Sequence, residues 1–301
     1  MKKVLVIMGS TASGKSDLAI QLAKELNGEI ISCDSVQVYK PLTIGSAKII
    51  DTEGIVHHML NIFDLDESMN VMTFQHMARQ HIDDITNRGK LPICVGGTGF
   101  YIKALLYDYE FIEHEETKDF SYLSNEVLHE RLKEIDPQQA LKIHVNNRQR
   151  LLRIFQQMDA AKQTRSEIHS QQKQEILYDA KIYYLTTERE ALVERINQRV
   201  DWMFEQGLVD ELNAVTNYGQ NFDYQGLTAI GYKEFKPYYT GKMTLDDVKE
   251  KIKTHSRQFS KRQMTWFKHQ LPGTIIDSLN KEEAQTMKED IKQWINSSAV
   301  I

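Results

Sequence analysis

Residues 4–16 read VLVIMGSTASGKS, a short apolar run that leads into a loop fitting the pattern G-x-x-x-x-G-K-[ST] from Gly9 to Ser16. An amphipathic helical pattern follows, and Gly28 is its predicted stop. Its apolar positions, four residues apart, are Leu18, Leu22 and Leu26. In this order of strand, loop and helix, the N–H groups of the loop and the positive end of the helix converge on an anion. The stretch therefore predicts a phosphate-binding loop, and a turn without a ligand is the alternative.

The last two loop residues carry the chemistry that the motif needs. Lys15 would neutralise the bound phosphates, and the hydroxyl of Ser16 would be a ligand for Mg²⁺. The motif alone leaves open which phosphate compound is bound.

The composition restricts the class of protein. The chain has 301 residues, of which 41% are hydrophobic and 26% charged, as expected for a folded globular protein. No apolar stretch is long enough to span a membrane, and the short run after Met1 passes directly into the loop, unlike a signal peptide. The cysteines Cys33 and Cys94 have neither disulfide nor metal-ligand spacing, which favours the cytoplasm. The net charge of −5 argues against a general attraction to nucleic acid, but not against a local basic patch. We expect a cytoplasmic monomer.

Strand and helix patterns alternate after the first helix. Residues 29–33 form a buried strand pattern that ends at Asp34, and residues 57–63, 73–88 and 91–95 read as strand, helix and strand. This alternation predicts an α/β fold like that of P-loop NTPases, with a mostly parallel sheet and helices on both faces. Because ligands bind beyond the carboxyl ends of such strands, Asp34 is expected near the phosphate loop.

The composition changes in the middle of the chain. Residues 100–206 contain no glycine and one proline, whereas the first 99 residues contain nine glycines. Asp136 and Pro137 resemble the start of a helix, and Asn146 is the predicted cap of the next one. Strand patterns return at 180–185 and 274–277. We therefore predict a helical insertion domain at 110–178 within a core domain formed by residues 1–109 and 179–301.

A basic helix is predicted near the C-terminus. Between Lys249 and Lys268 there are seven Lys or Arg residues and one acidic residue. Four of these cations are spaced by four residues: Lys249, Lys253, Arg257 and Lys261. Like charges on one helix face repel unless an anion offsets them, so the stripe is either a solvated face or a contact surface for a nucleic-acid backbone.

Three further segments could carry chemistry. Asp34 could act as a base, or could be only a metal-ligating or capping carboxylate. The turn Gly96-Gly97-Thr98-Gly99 allows close backbone approach to a ligand and supplies one hydroxyl, although a tight turn is the simpler explanation. The segment Arg195–Arg199 could neutralise a leaving group, or lie on the surface.

His57 and His58 should point to opposite faces of a strand, so they are not expected to share a metal.

The chain closely resembles the tRNA dimethylallyltransferase family, also called tRNA isopentenyltransferases. The resemblance runs from end to end. It rests on the loop Gly9–Ser16 and on the segments Asp34–Tyr39, Ile44–Lys48, His57-His58, Gly96–Tyr101, Asn146–Arg150, Arg195–Arg199, Ala229–Glu234 and Lys261–Phe267. Small departures from the family pattern are Ser10 and Val56 in place of prolines, and Ser16 and Ser46 in place of threonines. The hydroxyl at Ser16 is kept.

The resemblance implies transfer of the dimethylallyl group from dimethylallyl diphosphate to the exocyclic amine of the adenine 3′ of the anticodon. It assigns Asp34, Thr98 and Arg199 to catalysis, with Asp34 as general base. The implied diphosphate-binding residues are Gly9, Thr11, Ala12, Ser13, Gly14, Lys15, Ser16 and Lys103, with Mg²⁺ on Ser16. The implied tRNA-binding residues are Asp34, Ser35, Val36, Gln37, Asn146, Asn147, Arg148, Gln149, Arg150, Lys253, Arg257 and Lys261. The adenine should be flipped out of the anticodon loop, with Gln37 placed to read it.

Two other classes of function remain compatible with a phosphate loop. One is a small-molecule or nucleoside kinase, and the other is an RNA-binding switch ordered by nucleotide. In kinases an acid usually follows a second apolar strand, whereas here the strand ending at Val95 continues into Gly-Gly-Thr, and Asp64 after Phe63 is a weaker match.

Overall fold

The computed structural model describes residues 1–111, 117–171 and 175–297. The chain divides into two compact units: a larger one formed by Met1–Leu106 and Ile176–Ile301, and a smaller one formed by Tyr107–Glu175. Within the described residues, none of the helices combines the length and the apolar character needed to cross a membrane.

The larger unit contains a six-stranded sheet in the order β3-β2-β4-β1-β5-β6, and each pair of neighbours is parallel. The strands are β1 (Lys3–Gly9), β2 (Gly28–Ser32), β3 (His57–His58), β4 (Leu91–Gly96), β5 (Asp179–Thr186) and β6 (Thr274–Asp277). In the centre of the sheet, Ile7 of β1 is in register with Val95 of β4 and Tyr183 of β5. The predicted parallel α/β fold is confirmed, and β6 has the predicted bounds.

Twelve α-helices lie in the described part of the chain. They are α1 (Lys15–Glu25), α2 (Val71–Asn87), α3 (Gly99–Leu106), α4 (Asn125–Ile135), α5 (Pro137–Ala140), α6 (Arg148–Ala161), α7 (Arg165–Gln171), α8 (Arg189–Glu205), α9 (Leu208–Thr216), α10 (Lys236–Tyr239), α11 (Leu245–Gln270) and α12 (Lys281–Asn296). Short 3₁₀ turns lie at Gln225–Thr228 and Lys233–Phe235. Side-chain caps fix several of the helix starts, such as Asn70 for α2 and the capping box of Thr244 and Asp247 for α11.

Apolar side chains bury both faces of the sheet. On one face, Leu5, Ile7 and Tyr183 belong to the same buried cluster as Leu22 of α1 and Ile291 of α12. On the other face, α2 and α3 are joined by the stacked rings of Phe74 and Tyr101, and β5 contacts α11 through Tyr184 and Phe267. Each buried side chain of this size contributes about 1.5–3 kcal/mol. The packing fixes the carboxyl edge of the sheet, where the site lies.

The smaller unit is helical and has its own core. Its buried residues are Leu128, Leu132, Ala140, Ile143, Leu151, Ile154 and Phe155. Asp136 caps the helix that begins at Pro137, as predicted. The predicted cap Asn146 is wrong, because it is the side chain of Asn147 that accepts from the Arg150 N–H and caps α6.

Two predicted boundaries in the larger unit are also wrong. The strand predicted over residues 57–63 stops at His58, because Met59 and Asn61 adopt positive φ angles of 61° and 55° that leave the extended conformation. The predicted stop Gly28 instead starts β2, and Asn27 is the residue with positive φ after α1. A Cβ at position 28 would lie 2.8 Å from the Ile93 side chain, so this glycine permits strand packing.

Candidate phosphate-binding site

The loop Gly9–Ser16 connects the carboxyl end of β1 to the start of α1. Gly14 has a φ of 80° and directly precedes the helix, a left-handed conformation that glycine adopts without strain. A Cβ at position 9 would lie 2.4 Å from Ser13 Oγ, so the loop can close this tightly only with glycine there. The sequence motif therefore forms the conformation that it predicts.

Two cations converge on this loop. Arg199 of α8 donates from Nη1 to the Thr11 hydroxyl at 3.3 Å and from Nη2 to the Ala47 carbonyl at 3.2 Å. Burial, and secondarily the charge of Arg199, lowers the pKa of Lys15 to about 8, while Asp34 acts in the opposite direction. Burial also lowers the pKa of Arg199. Because both side chains are desolvated and repel each other, a bound anion would stabilise the charged form of each.

Asp34 follows β2 and shapes the next turn. Its Oδ1 accepts the backbone N–H groups of Val36 at 2.8 Å and Gln37 at 3.3 Å. Among the residues that the structure describes, none donates a hydrogen bond to Oδ2. The carboxylate thus caps a turn and not a helix, and one oxygen remains available to a ligand.

The glycine turn after β4 brings α11 against the phosphate loop. A Cβ at Gly97 would lie 2.2 Å from Gln263 Nε2, and one at Gly99 would lie 2.2 Å from the Trp266 ring. Gln263 donates to the Gly97 carbonyl at 2.9 Å and accepts the Thr11 N–H at 3.2 Å. The role of Gln263 was not predicted from the sequence, although the residue lies in the segment Lys261–Phe267. This one side chain joins the two ligand-facing turns.

A cavity of about 360 Å³ opens between these elements within the larger unit. Of the predicted site residues, it is lined by Thr11, Lys15, Asp34, Ser35, Val36, Gln37, Thr98 and Arg199. Sequence analysis did not assign three other groups of lining residues, which are Gly45–Ala47, Thr228–Gly231 and the pair Phe259 and Arg262. The cavity also has an apolar part, formed by residues such as Ile196, Val200, Met203 and Ile230. It is therefore suited to a ligand with both a phosphate and an apolar group.

The remaining predicted phosphate ligands occupy other positions. Ser16 lines a smaller adjoining cavity of about 40 Å³ together with Lys15, Asp34 and His57. Gly9, Ala12, Ser13 and Gly14 form the loop itself, and the Ser13 hydroxyl is buried without a partner among the described residues. Lys103 is directed elsewhere, since its Nζ donates to Gln270 Oε1 at 3.2 Å near the end of α11.

The predicted adenine-reading residue is held by a neighbouring loop. Gln37 Nε2 donates to the backbone carbonyls of Ser46 and Ala47, each at 3.3 Å. The loop that contains Ser46 and Ala47 therefore orients both Gln37 and Arg199.

The basic stripe on α11 is partly neutralised inside the protein. Lys249 and Lys253 bind the same carboxylate, Asp201 of α8, at 2.8 and 2.9 Å. The side chain of Lys253 is 13% exposed, and Asp201 raises its pKa. Arg257 donates to Asn197 Oδ1 at 2.8 Å, whereas Lys261 is exposed. The first half of the stripe thus packs against α8, and Lys261 faces solvent.

The predicted RNA-contact segment of the smaller unit also has internal roles. Arg148 donates to the carbonyls of Leu123 and Ser121 and to Asn125 Oδ1. Asn147 caps α6, and three further residues of the segment, Asn146, Gln149 and Arg150, are exposed.

The described residues contain no cluster of three or more His, Cys, Asp or Glu side chains that could hold a metal ion. His57 Nδ1 bonds the Ile55 carbonyl and His58 Nε2 bonds Glu29, so the two rings have separate hydrogen-bond partners.

A parallel α/β sheet with a phosphate loop, two converging cations and a carboxylate at its carboxyl edge defines a P-loop-type enzyme acting on a phosphate-bearing substrate. Sequence models of two families match the chain: the one described as IPP transferase over residues 37–270, and the one described as isopentenyl transferase over residues 2–67. The chain belongs to the tRNA dimethylallyltransferase family, as its sequence resemblance predicted.

Relatives and solved structures agree with this assignment. The chain is 47% identical to the tRNA dimethylallyltransferase of Anoxybacillus flavithermus, over 98% of this chain and 96% of the relative. It resembles the crystal structure of tRNA delta(2)-isopentenylpyrophosphate transferase from Staphylococcus epidermidis with a TM-score of 0.72, 39% identity, and coverage of 98% and 99% of the two chains. It also resembles a eukaryotic dimethylallyltransferase acting on tRNA, with a TM-score of 0.84, 33% identity, and coverage of 97% of this chain and 78% of the other. The kinase alternative is not favoured.

Proposed function

We propose that this protein transfers the dimethylallyl group from dimethylallyl diphosphate to the exocyclic amine of the adenine 3′ of the tRNA anticodon. One observation carries the proposal: Lys15 and Arg199 line the same cavity as Asp34, which has a free carboxylate oxygen. The family of the chain supports this function.

The phosphate end of the cavity would hold the leaving group. When the allylic carbon–oxygen bond breaks, the electron pair stays with the diphosphate, whose negative charge increases. Lys15, Arg199 and the N–H groups of the loop stabilise that charge, and they are in place before the reaction. Thr98 and Thr11 supply hydroxyls on the same cavity wall. The apolar part of the cavity accommodates the hydrocarbon chain.

The carboxylate would serve the nucleophile. The amine nitrogen forms the new bond to the allylic carbon and must lose a proton, which Asp34 Oδ2 accepts and later releases to water. Since a stacked adenine cannot reach a buried carbon, the base has to be flipped out, and Gln37 on the cavity wall is placed to contact it.

We include Mg²⁺ in the proposal. The residues fit it, because the Ser16 hydroxyl follows Lys15 in the loop and lines a small cavity beside the phosphate loop, and a hydroxyl oxygen suits this ion. Mg²⁺ commonly binds with few protein ligands together with substrate phosphates. Ser16 would hold it, and its charge would further stabilise the leaving diphosphate.

We further propose that the protein acts as a monomer in the cytoplasm, with the anticodon stem-loop as its macromolecular partner. Cys33 and Cys94 are buried free thiols, which suits a reducing cytoplasm. Light scattering of the purified protein should give the mass of one 35.0 kDa chain.

A transfer assay tests the proposed reaction. Purified protein with Mg²⁺ and labelled dimethylallyl diphosphate should label an unmodified tRNA that has adenine 3′ of the anticodon. The matched control is the same tRNA with that adenine replaced by guanine, which should remain unlabelled. No transfer to the adenine tRNA, together with RNA-dependent hydrolysis of ATP, would contradict the proposal.

A further inference from the structure

Glu211, in the first turn of α9, binds a loop of the cavity wall. Its Oε2 accepts the N–H groups of Thr43 at 2.9 Å and Ile44 at 2.6 Å, and its Oε1 accepts that of Gly45 at 3.1 Å. Both carboxylate oxygens thus act as acceptors, whereas the side-chain amide of a glutamine would direct a donor at one of these N–H groups. We refer to residues 43–47 as the wall loop.

Tyr232 closes the wall loop from the other side. Its hydroxyl donates to Glu211 Oε1 at 2.8 Å and accepts the Ser46 N–H at 2.9 Å. Burial and the nearby Glu211 charge raise the pKa of Tyr232, so the hydroxyl keeps its proton and its donor role. A Cβ at Gly45 would lie 2.6 Å from the Tyr232 ring, which shows how closely the ring covers the loop. Four consecutive N–H groups, from Thr43 to Ser46, are thereby fixed by two side chains.

The end of the wall loop contacts the proposed reaction machinery. The Ala47 carbonyl accepts from Arg199 Nη2 at 3.2 Å and from Gln37 Nε2 at 3.3 Å. The other end of the same guanidinium contacts Thr11 in the phosphate loop. A displacement of the wall loop therefore moves the cation at the diphosphate and the amide at the adenine together.

We propose that Glu211 is a positioning residue for the prenyl transfer: through the wall loop it sets the orientation of Arg199 and Gln37. The inference rests on the proposed function for its kinetic consequence, but not for its structural one. Glu211 itself is outside the set of residues that line the cavity, so it acts through the loop rather than on the substrate.

The test compares two charge-neutralising substitutions one residue apart. Glu211→Gln removes the carboxylate that binds the wall loop, whereas Asp210→Asn removes an exposed carboxylate from the same helix turn. In Glu211→Gln we expect kcat to fall about tenfold and KM for dimethylallyl diphosphate to rise about tenfold, because small misplacements of charged groups reduce rates strongly. KM for tRNA should rise as well, but less than that for dimethylallyl diphosphate, because Gln37 would contact a single base of the tRNA. Asp210→Asn should match the wild type.

Hydrogen exchange gives a readout that does not depend on turnover. The amides of Thr43, Ile44 and Gly45 should exchange at least about tenfold faster in Glu211→Gln than in Asp210→Asn, because their acceptor is lost. Tyr232→Phe keeps the Glu211 carboxylate and should increase amide exchange in the wall loop by a smaller factor. This variant replaces Glu211→Gln in the test if Glu211→Gln does not fold.

The outcomes separate this inference from the proposed function. A wild-type protein that binds pyrophosphate but transfers no prenyl group would contradict the function, and amide exchange would still decide the role of Glu211. If the three amides exchange at the same rate in Glu211→Gln as in Asp210→Asn, the positioning role is overturned. It is also overturned if KM for dimethylallyl diphosphate is unchanged and the lower kcat of Glu211→Gln is explained by a smaller folded fraction.

Discussion

The pKa of Lys15 leads to a specific pH dependence of substrate binding. Burial lowers this pKa from 10.5 to about 8, so in the free protein the ammonium loses its proton within an accessible pH range. A bound diphosphate favours the charged form and raises the pKa again. Binding of the diphosphate is therefore coupled to a proton on Lys15, and it must weaken as the pH rises above about 8.

The size of the effect follows from the titration. Below pH 8 Lys15 is protonated in both states, and the affinity is independent of its ionisation. Above that value each pH unit reduces the protonated fraction of the free protein, and thus kcat/KM for dimethylallyl diphosphate, about tenfold. Between pH 7 and pH 9 the expected loss is about tenfold. The phosphate groups of dimethylallyl diphosphate contribute little there, because a phosphate ester loses its last proton near pH 6.

The assay measures kcat/KM for dimethylallyl diphosphate at saturating tRNA from pH 6.5 to 9.5, with the Kd for dimethylallyl diphosphate in the absence of tRNA measured in parallel. Lys48 is the essential comparison, because burial also lowers its pKa to about 8. Its Nζ donates to the Tyr39 carbonyl and Asn61 Oδ1, each at 2.6 Å, so its titration would act on the backbone instead.

Two variants distinguish the lysines. Lys15→Met should bind dimethylallyl diphosphate more weakly at pH 7, but its affinity should not decline further between pH 7 and pH 9. Lys48→Met should keep the alkaline decline of the wild type. If the decline persists in Lys15→Met and disappears in Lys48→Met, the reasoning about Lys15 is refuted.

Three further predictions address the base, the glycine turn and the basic helix. Asp34→Asn keeps an acceptor for the turn but cannot take a proton, so kcat should fall about 10²–10⁴-fold, with the Kd for tRNA nearly unchanged. A decrease in kcat of less than about threefold would exclude Asp34 as the base. Gly99→Ala places a Cβ 2.2 Å from the Trp266 ring and should lower the free energy of unfolding in urea by about 1–3 kcal/mol. Lys261→Gln should reduce the slope of log Kd for tRNA against the logarithm of the salt concentration by about 0.7–0.9. The control Lys253→Gln breaks an internal ion pair and should leave that slope unchanged.

The parts of the fold that local patterns determine were predictable from the sequence. The run before Gly9, the loop to Ser16 and the following helix form as expected, and β6 has the predicted bounds. In these segments the periodicity of the side chains and the motif favour the same structure as the tertiary packing. A single sequence is therefore enough to predict it.

The wrong predictions concern segments whose backbone conformation depends on contacts that the local sequence pattern does not show. The residues 57–63 look like a continuous strand, but positive φ angles at Met59 and Asn61 end it early. Asn146 and Asn147 are equivalent as helix caps in the sequence, and only the structure shows that Asn147 is the cap. Apolar patterns and cap preferences do not contain this information.

The site shows a similar division. Lys15 and Asp34 could be assigned because they belong to, or follow, elements that end at one sheet edge. Glu211 and Gln263 could not, because each acts on a segment far away in the sequence: Glu211 lies 168 residues from Thr43, and Gln263 lies 252 residues from Thr11. Single-sequence reasoning has no access to such pairs.

Helix α11 shows why spacing alone could not decide between a solvated face and an RNA surface. Four-residue spacing of cations arises equally when a helix packs against an acidic residue, and Asp201 fulfils that role for Lys249 and Lys253. Asp201 therefore partly offsets the repulsion between like charges on this helix face, without an external anion. Farther along the helix, Lys261 is exposed and Arg262 lines the cavity. The cations that Asp201 neutralises thus lie in the first half of the helix, and under the proposed function we expect any contact with an RNA phosphate in the second half.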